Sequence, residues 1–374
     1  MASLDGSHAL GLFLSGNQAS WPELNISAAE LIAICDAEEL SPLLYERLAR
    51  SPGAEGWPPE VREHLAVTSR RLATEEALRG AETRTVVSAL SEAGVRPILI
   101  KGTALAYGWY DTPVSRPRND TDLLIASGQV DTARRVLSSL GYTPTPQCQD
   151  LFSQFEVQKA DEFGVLHAFD VHWKISTQPV FADVLTYEEL LPRTIPVPAL
   201  CGAAFAPGAV DALLLACVHP VMHHRNIERA LWTYDIHLLA TNLGSAEFDE
   251  LVRLARLRKV AAICAHGLRQ ARETFGTVIP DGVNERLSGD GPVESSAEYL
   301  ASQRRWHHEL ASSLRGTPSL GGRAGLLRQV LFPSPHYLLG AYGLGGKPLA
   351  FLLLPVLYLH RNLRGLWKIV TGKK

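Results

Sequence analysis

Cysteine is scarce and scattered, charge of one sign is not in excess, and no apolar run is long and unbroken. Each shortage removes a class of protein. The five cysteines, Cys35, Cys148, Cys201, Cys217 and Cys264, are odd in number, widely spaced and contain no CxxC. That excludes a disulfide framework or zinc ribbon and fits reduced thiols in a cytosolic protein, most of them small core residues. A net charge of −3 gives no global basic field, so composition does not support nucleic acid as a partner. The opening MASLDGSHALGLFLSG carries Asp5 and no basic stretch before its apolar patch, unlike a secretory signal. The expected location is cytoplasmic.

What is present is ordinary for a folded chain, 46% apolar and 20% charged over 374 residues, a length that suits two or three domains. Leu31, Ile34, Leu40, Leu43, Leu44 and Leu48 recur at helical spacing, and a charged amphipathic stretch follows from about Val61 to Glu92. Gly94 stands where a helix-ending glycine belongs. The period then changes. Ile98–Ile100 reads as a buried strand, followed by Lys101-Gly102-Thr103 and a short helix. Asp122–Ile125 reads as a second strand, 131–140 as a helix closed by Gly141, and Phe155–Gln158 with Val165–Trp173 as a hairpin. This order makes a small α/β unit. Helices resume from about Val210 to Arg272, and residues 281–298 read as an exposed loop or linker.

Two acids, Asp120 and Asp122, open the second strand. Residues two apart on a strand face one side, and Asp170 on a later strand of the same unit can join them. Three carboxylates around one point suit Mg²⁺, or Mn²⁺ in its place, which takes oxygen ligands and completes its shell with water and substrate phosphate. Two such ions can clamp the attacking and leaving oxygens of a phosphoryl or nucleotidyl displacement. Unpaired, the acids would repel one another and raise their own pKa values. A solvated strand end or a turn at Asn119-Asp120 is the plainer alternative. Nucleotide-sugar glycosyltransferases also use Asp-x-Asp. There an apolar strand leads into the pair, whereas here Leu123-Leu124-Ile125 follows it.

The order strand, Gly-Thr, helix, Asp-x-Asp and a later lone Asp resembles the nucleotidyltransferase superfamily that includes DNA polymerase beta. More narrowly, Lys101-Gly102-Thr103-Ala104, Tyr110-Asp111-Thr112-Pro113, Arg116-Pro117, Asp120-Thr121-Asp122-Leu123-Leu124-Ile125 and Asp170-Val171-His172-Trp173 resemble the uncharacterised bacterial nucleotidyltransferase family. Leu215 to His219 and Trp232–Ile236 are similar to its helical half. The resemblance spans roughly residues 30–240. It implies that Asp120, Asp122 and Asp170 are catalytic and bind the metals, with Asp170 helping to activate the attacking hydroxyl. It implies that Gly102 and Thr103 meet the nucleotide phosphates at a helix N-terminus, and that Lys101 and Arg116 neutralise phosphate charge.

His172 shares Asp170's face, either supporting the acids from behind or packing as a core histidine. His219 and His223 have the i, i+4 spacing of zinc ligands, but Pro220 interrupts the segment and no HExxH is present. A helix face lining the cleft, or plain packing, is the better reading. Asp235 would cap or pair within the helical half, with Arg225 or Arg229. Gly345-Gly346-Lys347 fails as a phosphate-binding loop, since Ala341 replaces its first glycine and Pro348 its Ser or Thr.

From Lys347 to the end there are six Lys or Arg and no acid, beside an apolar block too short and proline-broken to span a bilayer. Residues 347–374 therefore suit peripheral contact with an anionic membrane, or a helix packed on the body. The expected fold is α+β, a small mixed-sheet nucleotidyltransferase core flanked by N- and C-terminal helical segments. Its expected divisions are a helical region at 1–94, the core at 95–195, a helical domain at 196–315 and the tail at 316–374. The expected activity is metal-dependent transfer of an NMP from an NTP to a small molecule, sugar, peptide or protein. The competing expectation is a nucleotide-binding module of the same fold without turnover.

Overall fold

The computed structural model describes residues 4–16, 20–145, 153–289, 294–301, 306–317, 319–333, 335–344, 347 and 349–371. Cys148 lies outside the described residues, as do Gly345, Gly346 and Pro348 of the rejected loop.

The N-terminal helices are α1 (Leu4–Leu14), α2 (Ala28–Glu38), α3 (Ser41–Ala49) and α4 (Pro59–Glu92). Ser27 and Glu30 form a reciprocal capping box that starts α2. Proline opens α4, Glu60 lies in its first turn, and Gly94 at φ +79 ends it. There the Gly94 and Val95 amides close back on the Ser91 and Leu90 carbonyls at 3.0 and 2.9 Å, the bonding pattern of a glycine stop.

Strand β1 (Ile98–Ile100) runs directly into α5 (Lys101–Gly108), followed by β2 (Thr121–Leu124) and α6 (Val130–Ser139). Next come β3 (Thr143–Pro144), β4 (Gln154–Ala160), β5 (Leu166–His172), α7 (Tyr187–Leu190), β6 (Thr194–Pro196) and β7 (Phe205–Pro207). The seven strands form one mixed sheet in the order β3-β4-β5-β2-β1-β7-β6. Pairs β1–β7 and β2–β5 are parallel and the others antiparallel.

Alternation along the strands divides the apolar side chains between two cores. Leu99, Leu123, Phe155, Val157, Phe169 and Val171 face one way, under Val86, Val87 and Leu90 of α4 and Leu137 of α6. Ile98, Ile100 and Leu124 face the other way, into a larger core. That core holds residues of α1 to α4 together with α8 (Ala209–His223), α9 (Ala230–Thr241), α10 (Ser245–Leu257), α11 (Ala261–Phe275) and α12 (Val283–Ser288). The segments expected as separate helical regions before and after the sheet thus pack as one body. The sheet also continues past residue 195, because β7 pairs with β1.

Two local expectations are corrected. Helix α8 runs through Pro220 to His223 instead of breaking there. The described residues of the stretch expected as an exposed linker, 281–289 and 294–298, pack on the body: α12 buries Val283 and Leu287, an i, i+4 pair, and Glu294 accepts the first amides of α11 at 3.2 and 3.0 Å. The tail forms α13 (Trp306–Gly316), α14 (Leu320–Leu331), α15 (Pro335–Ala341) and α16 (Leu354–Thr371). Among the described residues, no helix is long and apolar enough to cross a membrane.

Candidate active site

The site begins where β1 turns into α5. Lys101 adopts φ +52, a left-handed conformation that costs a residue with a side chain on the order of 1 kcal/mol. Ladder pairing sets Ile100 opposite Asp122, so the lysine one residue on stands beside that acid. Its Nζ lies 2.6 Å from Asp122 Oδ1.

Asp122 is paired with Asp170 across the parallel β2–β5 ladder, and Asp170 with Glu156 across β4–β5. Directly opposed residues share a face, so three adjacent strands carry a row of carboxylates toward the helical body. His172, two residues beyond Asp170, faces the same way. One ligand atom from each of Asp122, Asp170 and His172 lies within 4.8 Å of the others. The His172 ring is fully buried, with Nε2 2.9 Å from Asp122 Oδ1. An ionised carboxylate only accepts, so Nε2 carries the hydrogen and donates it. Nδ1 has no hydrogen-bond partner among the described residues.

The acids divide sharply in proton affinity. Burial alone would raise Asp122, but the Lys101 ammonium and the His172 N–H override it and hold its carboxyl well below the usual range. Asp120, exposed at the mouth of β2, is pushed up to about 6 chiefly by the charge of Asp122 beside it. Asp170, half-buried, is pushed up to about 8 by burial, then by Asp122, Glu156 and Asp120. Burial opposes the Lys101 ammonium, yet Asp122 still raises its pKa. The imidazole of His172 is pushed down by burial and Lys101, so it stays neutral. Four carboxyl groups therefore face one ammonium, and the carboxylate of Asp170 accepts no hydrogen bond from the described residues. That donor set fits a divalent cation, which supplies the missing positive charge.

A cavity beside the acids is lined by Lys101, Gly102, Arg116, His219, Trp232 and Asp235. A Cβ added at Gly102 would approach nothing closer than 3.7 Å, so packing of the chain does not itself demand glycine there. Its bare backbone borders the cavity. Opposite, His219 Nε2 lies 3.2 Å from His224 Nε2, and the His224 ring lies 4.4 Å from that of Trp232. His219 is held well below its ordinary pKa by burial and by Lys101. His223 turns Nε2 to the Ile175 carbonyl at 3.2 Å, so the i, i+4 histidines do not share a ligand point.

The expected partner of Asp235 is corrected, and Arg116 and Thr103 are placed as follows. Arg116 borders the cavity but is paired within the protein: Nε and Nη2 clasp both oxygens of Asp235 at 2.8–3.0 Å, and Nη1 donates to the Pro117 carbonyl. Asp235 accordingly pairs with Arg116, not with Arg225 or Arg229, and also accepts from Tyr110 Oη at 2.7 Å. Thr103, in α5, is 1% exposed, and its buried hydroxyl has no hydrogen-bond partner among the described residues. Arg118 is the counterpart of Arg116. It donates to Thr121 Oγ1 at 2.6 Å and to Glu76 of α4 at 2.9 Å, and Tyr107 Oη adds a bond to Glu76. The loop before Asp120 is thus pinned on one side to α9 and on the other to α4.

Glu156 was not foreseen. Its signal lies in the alternation Gln154, Glu156, Gln158 against Phe155 and Val157, which puts one acid on the same face as Asp170 once the hairpin register is known. Asp120 stands outside the 4.8 Å group, and His172 takes a place within it.

No curated protein sequence matches the chain. A family described as "Uncharacterised nucleotidyltransferase" matches residues 25–276, well over half of the chain and everything from α2 to α11. The match takes in the acid row, the Lys101 junction and both walls of the cavity. The chain belongs to this uncharacterised nucleotidyltransferase family.

Proposed function

We propose that the protein is a metal-dependent nucleotidyltransferase that moves an NMP from an NTP to an acceptor and releases pyrophosphate. The observation that carries this reading is the in-register acid row with a single ammonium against it, beside a glycine-bordered cavity. Asp122 and Asp170, with Asp120 at the rim, would hold Mg²⁺ or Mn²⁺. When bound, such an ion neutralises charge on the phosphate oxygens. His172 keeps the Asp122 carboxylate in one orientation. The backbone at Gly102 lets phosphate approach the start of α5, and Lys101 supplies a cation that exchanges Asp122 for a phosphate oxygen. In the transfer, the acceptor oxygen or nitrogen bonds to the α-phosphorus and the α–β phosphoanhydride breaks. The acceptor's proton passes to Asp170, whose raised pKa suits a base working near neutrality.

A second reading, a nucleotide-binding module without turnover, is favoured by two observations. The Arg116 fork is committed to Asp235, and the Thr103 hydroxyl is enclosed. The readings separate in one assay: labelled NTPs, each of four bases, with Mg²⁺ or Mn²⁺ and cell lysate as the acceptor source. Transfer of label with pyrophosphate release, abolished in the Asp120→Asn/Asp122→Asn double variant, is the expected result. Metal-dependent NTP binding without transfer would favour the module. No NTP binding at all would sink both.

A further inference from the structure

The tail is set apart from the body by charge. Residues 316–374 contain eight Lys or Arg and no Asp or Glu, a charge of +8; the preceding residues hold 28 Lys or Arg against 39 Asp or Glu, a charge of −11. It is also set apart by packing, since neither core includes a described residue beyond Leu300. Helix α16 is anchored along one side to the helices before it. Arg361 Nη1 donates to the Val330 carbonyl at 2.6 Å, Asn362 Nδ2 to Leu331 at 3.0 Å, and Tyr358 Oη to Pro333 at 2.5 Å. The other side is an apolar stripe. Val356, Leu359, Leu363 and Leu366 follow at steps of three and four, each 59–64% exposed, and Leu349 and Leu352, just before the helix, are 74% and 76% exposed.

We infer that this stripe is a docking face for an anionic lipid bilayer, on which α16 lies flat. The stripe and the charge point to the same surface. An amphipathic helix buries its apolar side at the headgroup boundary, and a run of Lys and Arg without acids is drawn to phospholipid anions. A step of three and four would also suit a helix zipped to a second copy. Two such tails would bring like charges together with no acid to pair them, so that arrangement is opposed by charge while the bilayer is favoured. The acidic body is repelled by the same surface, which turns the tail toward the lipid and the body away. The helix does not cross the bilayer, because no described helix is long and apolar enough.

The test is sedimentation of the full chain with extruded vesicles, either neutral phosphatidylcholine or the same lipid with a third phosphatidylglycerol. Partition into the anionic vesicles should exceed that into neutral ones by about tenfold or more and weaken as salt is raised. Leu359→Asp/Leu363→Asp should abolish it. Arg364→Glu/Lys368→Glu, which keeps the stripe, should erase the preference for anionic lipid. Circular dichroism and thermal unfolding check that both variants fold. Equal partition into both vesicle types, or none into either, would overturn the inference. So would a dimer in sedimentation velocity that Leu359→Asp/Leu363→Asp dissolves while vesicle binding is absent, since the occupant would then be a second copy.

Discussion

Lys101 holds together a group of acids that would otherwise repel. Its ammonium is the charge nearest Asp122, and it stands there at the expense of a left-handed backbone. Replacing it with methionine removes the charge while keeping the stem. Breaking a buried pair in this way costs roughly 3 kcal/mol, read as a lower urea midpoint in metal-free buffer. If the acids take a divalent cation, Mn²⁺ should restore more stability to Lys101→Met than it adds to the wild type. Equal gains would argue against a shared position for ammonium and metal. Asp170 gives a pH signature of known sign. Its folded pKa of about 8 lies above its ordinary 3.8, so between those values the folded state keeps a proton that the unfolded chain has lost. Stability contributed by that proton is full below the ordinary value and is lost as pH rises toward 8. Asp120, raised to about 6, has the same sign over a narrower window. Asp170→Asn should therefore raise the metal-free Tm at pH 8 by about 2 °C or more and change it little at pH 4. A Tm lowered at pH 8 would mean the carboxyl is not crowded by its neighbours.

At the scale of elements, the loop from Arg116 to Asp120 is held like a strap with two buckles. Arg116–Asp235 and Arg118–Glu76 are both buried, and each acid takes a tyrosine hydroxyl as well. Arg116→Ala strands Asp235 and should cost about 3–5 kcal/mol in urea unfolding. Arg116→Lys should recover only part of it, because an ammonium cannot match both oxygens. If Arg116→Ala left stability intact but weakened NTP binding, the fork would belong to phosphate after all. Strands β1 and β2, helix α5 and the β4–β5 hairpin were legible because apolar runs change period there and Gly or Pro marks their ends. The strand positions of Asp122 and Asp170 were legible because alternation along a strand is a local feature, whereas the place of His172 beside them was not separable from plain packing. The Arg116–Asp235 pair was not, since its partners are 119 residues apart and tertiary packing alone unites them. Helix α12 was masked by the turn-forming residues around it, which outvote two buried apolar side chains in any local reading.

For the whole molecule, the division of labour differs from the order along the chain. Helices before and after the sheet share one core, and the sheet's inner face completes it. Nothing local in a sequence says which amphipathic helices will pack together, which is why this union was not foreseen. The two cores share the sheet and helix α4, which couples them into one transition: calorimetry should show a single cooperative unfolding event for the body, with equal calorimetric and van't Hoff enthalpies. Two resolved transitions would mean that the helical halves fold separately. Helix α4 also enters both cores, with Val61 and Leu65 in one and Val86, Val87 and Leu90 in the other. At 34 residues it is a rod of about 51 Å. Mechanically it is a strut, braced at both ends and riveted near its middle by Glu76 to the strap that carries the acids. A frame braced that way resists bending between sheet and helices. The recess would then select what enters by a shape set when the chain folds.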